Sequence, residues 1–144
     1  KEAIRIDSTF HRDTVYIPAC SALGNLYNSM DQPIEAIIIL NKAREQYPAS
    51  KNIYLIYKNL GYAYLMQEQA DSALKYLELS RAIKPQEAET SLYLAKAYEA
   101  AGKISRCIET WQNYIDLETD TVKINEAKKH LKEVTIKRLK EIIK

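Results

Sequence analysis

The segment YLIYKNLGYAYLM, residues 54–66, places Tyr57, Leu60, Gly61 and Tyr64 at spacings of three, four and seven. Such spacings gather residues on one face of an α-helix, and that face is predicted to be buried. Downstream, Ala73, Leu77 and Ser80 keep the helical period, and Pro85 closes the run. Gly61 and Ala73 have almost no side chain, which lets two helices cross closely while Tyr64 and Leu77 fill the space around the contact. A glycine inside a helix costs about 1 kcal/mol relative to alanine, and close packing must offset it. Pro85 lacks an amide hydrogen and disfavours helix at Lys84 before it. The pattern predicts two antiparallel helices clamped at a small-residue crossing and followed by a stop.

The same pattern recurs at a period of 34 residues, in copies spanning 17–50, 54–87 and 88–121. In the first copy Leu23, Gly24, Tyr27, Ala36, Leu40, Ala43 and Pro48 hold the offsets of Leu60, Gly61, Tyr64, Ala73, Leu77, Ser80 and Pro85. The third copy is weaker. Leu94, Ala95, Tyr98, Cys107 and Trp111 keep size or aromaticity, while Tyr114 and Thr119 replace the small residue and the proline. Asp31 and Gln32 ahead of Pro33 read as a helix start, and Gly102 falls where the turn between paired helices is expected. The extra residues Lys51, Asn52 and Ile53 are expected to lengthen the next helix by a turn, with Ala49 or Ser50 near its cap.

These 34-residue copies resemble the tetratricopeptide repeat (TPR) family, over residues 17–121 or about three quarters of the chain. The resemblance implies an all-α fold, a right-handed superhelix of three helix pairs plus a C-terminal capping helix. Helix pairs of this kind stack because none can hide its apolar face alone. Residues 1–16 are expected to be a partial helix with an irregular lead-in, the remnant of a preceding repeat. Residues 122–144 are expected to be the cap, with Ile124, Ala127, Leu131 and Val134 covering the third copy.

The resemblance also implies where a ligand would lie. In the family the first helix of each pair lines a concave surface, and the matching positions here include Asn25, Asn28, Lys58, Asn59, Tyr62, Tyr93 and Lys96. Such a surface suits a protein or peptide partner: amides pair with a backbone, lysines meet carboxylates, and tyrosines give flat contact area. Some members grip a C-terminal carboxylate with a clamp of two asparagines and three cations. Asn25 and Asn59 match the asparagines, but Ser21, Glu89 and Tyr93 stand where the cations belong, so the clamp is incomplete. The function expected is a non-catalytic protein-interaction scaffold. The alternative is self-association or stacking into a homodimer or larger repeat protein, through apolar residues near Phe10 and through Ile136, Leu139, Ile142 and Ile143.

Composition narrows the rest. At 144 residues, with 47% hydrophobic and 28% charged positions, 3 Gly and 4 Pro, the chain reads as one globular helical domain. Its longest apolar run, AIIIL at 36–40, is far short of a membrane span. The chain opens on Lys1 without methionine, so the reading is a soluble protein, cytoplasmic or periplasmic/secreted with its signal removed. The net charge of +2 gives no general pull toward nucleic acid. The segment from Thr121 on carries eight Lys or Arg against three Glu, and reads as a solvated amphipathic helix rather than a nucleic-acid patch.

Cofactor chemistry finds no foothold. Cys20 and Cys107 read as buried thiols, and His11 and His130 have no metal-ligand spacing. The run DLETD at 116–120 alternates carboxylates as a calcium loop does, but Thr121 and Ala127 stand where glycine and glutamate are required. No phosphate-binding loop, nucleophile elbow or zinc-protease motif occurs, so the expectation is no enzyme, no metal and no cofactor.

Overall fold

The computed structural model describes the backbone from Glu2 to Lys144 and the side chains from Arg12 onward. Its elements are α1 (Glu2–Ser29), α2 (Pro33–Gln46), α3 (Ile53–Met66), α4 (Ala70–Ile83), α5 (Ala88–Ala100), α6 (Ile104–Leu117) and α7 (Thr121–Ile143). Helices pair as α1 with α2, α3 with α4 and α5 with α6; α3 also touches α1 and α5, and α7 closes against α6. The result is an all-α helical-repeat solenoid.

Each pair turns by the same device. Asp31, Glu68 and Gly102 occupy one repeat position and adopt positive φ of 59°, 58° and 73°. The amides of Gln32, Gln69 and Lys103 then donate back to the carbonyls of Tyr27, Tyr64 and Tyr98 at 2.8, 2.9 and 2.9 Å. This bond, with a second from the positive-φ residue itself, is the Schellman closure of a helix end. Only the third copy uses glycine there, the residue that takes this conformation without a Cβ penalty.

The notches at Gly24 and Gly61 are filled differently from the expected small-residue crossing. A Cβ on Gly24 would lie 2.6 Å from Leu40 Cδ2, and all the nearest neighbours of a Cβ on Gly61 belong to Leu77. A leucine of the second helix therefore seats on a glycine of the first. Ala36 and Ala73 are buried one turn earlier on the same faces as those leucines. Ser80 replaces alanine because its hydroxyl has work: it donates to the carbonyl of Tyr54 at 2.8 Å and lies 3.5 Å from Thr90 Oγ1, tying α4 to the starts of α3 and α5.

Two other expectations are corrected. Residues 2–16 are helical rather than irregular, joined to the first copy in one 28-residue helix that runs through Pro18. The lead-in holds no glycine or proline to break it, and Pro18 removes a single amide donor. The side chains of Phe10 and His11 lie outside the described residues. The three-residue insertion at 51–53 does not lengthen α3 by a turn: Lys51 and Asn52 form a turn in which Ser50 Oγ accepts from the amide of Asn52 at 3.2 Å, and Ile53 alone joins α3, which has 14 residues against 13 in α5.

The cap follows from an N-terminal bond and an apolar stripe. Asp120 accepts from the amides of Val122 and Lys123 at 2.9 and 3.3 Å, which starts α7 where the third copy lacks a proline. Ala127 and Val134 are buried, and Ile124 and Leu131 pack beside them against the core of the last pair. Past Val134 the helix runs on with Ile136, Leu139, Ile142 and Ile143 exposed.

Candidate functional site

Two of the three groove amides expected on α1 and α3, Asn28 and Asn59, bond inside the protein. Asn59 is buried, and its Nδ2 donates to the carbonyl and the hydroxyl of Ser21 at 3.1 and 2.8 Å. Asn28, also buried, donates from Nδ2 to the carbonyl of Asn59 at 3.2 Å. These bonds lock the first helices of copies one and two together and use the Nδ2 of both amides, while the Oδ1 of Asn28 is buried without a hydrogen-bond partner. Asn25 is exposed on α1.

Lys58 is also committed. Its ammonium lies 3.1 Å from Glu87 and 3.1 Å from Glu89, with 11% of the side chain exposed. Burial pulls its pKa down, but the two carboxylates outweigh that and hold it above the usual lysine value. One buried ammonium thus bridges two carboxylates, and Lys84 lies near enough to Glu87 to interact with it as well.

The aromatic members do come together. Tyr62 of α3 and Tyr93 of α5 are half-buried, with ring centroids 4.5 Å apart and planes tilted by 38°. Burial and the neighbouring carboxylate of Glu89 raise the Tyr93 pKa, so its hydroxyl stays a neutral donor. Lys96, one turn along α5, is exposed.

Beyond this tyrosine pair lies a pocket of about 380 Å³ between α5, the end of α6 and α7. Leu92, Trp111, Tyr114 and Ala127 make it apolar, and Glu89, Lys96, Glu118, Lys123, Glu126 and His130 ring it. The tryptophan is held edge-on to Tyr114 at 6.0 Å and under His130 at 4.9 Å between centroids. His130 Nε2 sits 3.0 Å from Glu99, joining α7 to α5. Glu118 accepts from the amides of Asp120 and Thr119 at 3.1 and 2.9 Å and from Tyr114 Oη at 3.1 Å. The backbone donors, first Asp120 and then Thr119, hold its carboxyl below the usual range, so it remains an anion. Burial, reinforced by that carboxylate, pushes the Tyr114 hydroxyl up to about 12.

Sequence reasoning missed Trp111, Tyr114, Glu118, Lys123, Glu126 and His130 because only first helices of the pairs were expected on the inner surface. The signal was present in α7: Glu126 and His130 flank the Ala127 and Leu131 stripe that packs on the last pair. A larger cavity, about 650 Å³, lies between α4 and α6, but Glu78, Arg81, Glu109, Asn113 and Asp116 line it and Arg81 is already paired with Glu78 at 2.8 Å. Among the described residues no group of three metal-ligating side chains converges, and no helix is long and apolar enough to cross a membrane.

No protein-family profile matches the chain, and no curated protein matches it. Solved structures do. The first TPR of Spaghetti (RPAP3), bound to the HSP90 peptide SRMEEVD, superposes with a TM-score of 0.74 at 18% identity, over 86% of this chain and 96% of that one. The first TPR domain of human RPAP3 gives 0.71 at 18% identity, over 83% and 90%. The second TPR domain of human RPAP3, in complex with the HSP70 peptide SGPTIEEVD, gives 0.69 at 16% identity, over 87% and 97%. With its three 34-residue copies, its paired helices and these structural neighbours, the chain has the tetratricopeptide-repeat fold.

Proposed function

We propose that the chain is a non-catalytic interaction scaffold that holds a segment of a partner protein along its concave face. The observation that carries this reading is the Tyr62–Tyr93 ring pair together with the pocket floored by Leu92, Trp111 and Tyr114, to both of which α5 contributes. Rigid aromatic groups give contact area at low entropy cost, and a pocket with an apolar floor and a polar rim fixes an anchor side chain. Two of the structural neighbours hold peptides ending in EEVD. That acidic ending fits this chain poorly, since Ser21, Glu89 and Tyr93 stand where the clamp cations belong and Asn59 is buried. The test is a peptide array probed with the intact chain and with Tyr62→Ala and Lys96→Glu. Bound peptides should lose signal with both variants while unfolding midpoints stay put; full retention by both removes the concave face from the reading.

A second reading, self-association through the ends of the solenoid, is favoured by one comparison between repeats. Leu23 and Leu26 are 39% and 58% exposed, whereas their counterparts Leu60 and Ala63, and Leu94 and Ala97, are fully buried against the preceding pair. Beside them a groove of about 480 Å³ is lined by Val15, Tyr16, Ala19 and Tyr47. The exposed Ile136, Leu139, Ile142 and Ile143 offer a comparable apolar surface at the other end. Light scattering over a dilution series tests it, and a concentration-independent monomer ends it.

A further inference from the structure

The outer side of α7 differs in character from the side that closes the solenoid. Ala127, Leu131 and Val134 turn onto the last pair, so Lys129, Lys132, Ile136, Lys140 and Ile143, at spacings of three and four, form a stripe facing away from it. Lys128 and Leu139 border this stripe, and all seven residues are exposed. The three glutamates of α7 lie off it, each turned toward other groups. Glu126 lines the pocket over Trp111, Glu133 lies 3.9 Å from His130 Nδ1, and Glu141 lines a hollow with Glu99 and Gly102. Lys123, Lys137 and Arg138 share those two hollows. On the neighbouring α6, Glu109 and Asp116 face the cavity against α4. The outer face of α7 therefore sets Lys128, Lys129, Lys132 and Lys140 against no carboxylate, and among the described residues none of the four is in an ion pair.

Past Val134 the same face becomes apolar as well as cationic: Ile136, Leu139, Ile142 and Ile143 are between 52% and 83% exposed. We propose that this face of α7 lies flat on a membrane surface that carries anionic headgroups. Lysine ammoniums stay at the headgroups while their stems lie along the apolar boundary, and branched side chains enter the acyl region beside them. Nucleic acid would use the lysines and leave the isoleucines in water, whereas a second copy of α7 would set lysine against lysine. An anionic bilayer surface satisfies both halves of the stripe. No helix among the described residues is long and apolar enough to cross a membrane, so the contact is peripheral. The assignment is independent of the concave-face reading, because the pocket over Trp111 opens on the flank that carries Glu126 and His130.

Co-sedimentation of the intact protein with vesicles tests this, using phosphatidylcholine alone and phosphatidylcholine mixed with phosphatidylserine. The anionic vesicles are expected to hold it about ten-fold tighter or more at low salt, with the advantage shrinking as salt rises. Lys129→Glu combined with Lys132→Glu should remove that preference. Ile136→Ser combined with Leu139→Ser should weaken anionic binding several-fold. All four positions are exposed, so unfolding midpoints should stay in place. Equal binding to both vesicles, binding to neither, or full retention by the lysine pair overturns the proposal. Anionic binding untouched by the Ile136 and Leu139 changes overturns insertion of the apolar half. A DNA duplex that binds while vesicles do not assigns the face to nucleic acid. Self-association lost with the Ile136 and Leu139 pair, without vesicle capture by the parent, assigns it to a second copy; either result replaces the membrane.

Discussion

Leu77 lies directly on the backbone of Gly61: a methyl group placed on that glycine would overlap the leucine's branch carbon, and Leu77 is fully buried with nowhere to retreat. Gly61→Ala gains about 1 kcal/mol in helix propensity. Overpacking a filled core costs about 1–3 kcal/mol. The overlap is at a branch point rather than a flexible tip, so the second effect should win. Gly61→Ala is expected to lower stability in urea unfolding, and Gly61→Leu to lower it further; an unchanged midpoint for both would show that Leu77 can move aside.

Glu68 is the opposite case. It adopts a φ of 58° on an exposed turn, while Gly102 holds the same repeat position at 73° with nothing within 4 Å of an added Cβ. The two sites share one left-handed conformation and differ in whether a Cβ is present. Glu68→Gly should therefore stabilise the protein by about 1 kcal/mol, and Gly102→Ala should destabilise it by about as much. Thermal unfolding of the two single variants measures both signs.

Asn59 separates architecture from binding. Truncating it strands the buried hydroxyl and carbonyl of Ser21, and an unsatisfied buried polar group costs about 1–3 kcal/mol. Asn59→Ala should lower stability by that order. Lys96→Glu, on the exposed rim, should alter peptide binding with stability unchanged. Urea titrations run beside anisotropy measurements on the same samples distinguish the two roles.

Alkaline pH should unfold the chain in a defined direction. Burial, aided by Glu89 for Tyr93, Glu78 for Tyr98 and Glu118 for Tyr114, raises these hydroxyls above their ordinary 10.0, and burial raises the Cys107 thiol from 9.0 to about 11. These groups ionise more readily in the unfolded chain than in the folded one. Their contribution is complete below the unfolded values and is lost as pH rises through the folded ones. Melting temperature should hold steady to about pH 9 and then fall. A melting temperature that stays flat as pH rises from about 9 to about 11 would contradict this.

The exposed end face supplies a fifth expectation. Leu26→Glu or Leu139→Glu should abolish any concentration-dependent assembly, because each puts a charge on apolar surface that association must bury. Sedimentation of the parent and both variants at matched concentrations checks it; assembly that survives both changes lies elsewhere on the molecule.

Residue order alone determined the repeat. Spacings of three and four, glycines at fixed offsets, and prolines at repeat ends specify helix pairs because each acts within a few residues of chain, where periodicity and local sterics suffice. The stripe of Ile124, Ala127, Leu131 and Val134 was legible for the same reason. Tertiary structure decided what those side chains do. Whether Asn28 and Asn59 face a ligand or each other depends on how α1 meets α3, and Lys58 is neutralised by glutamates 29 and 31 positions away in sequence. Trp111, Tyr114 and Ala127 form one pocket only because α7 folds back beside the last pair. Local pattern sets which helices form, while burial and charge pairing between distant segments select the groups left to meet a partner.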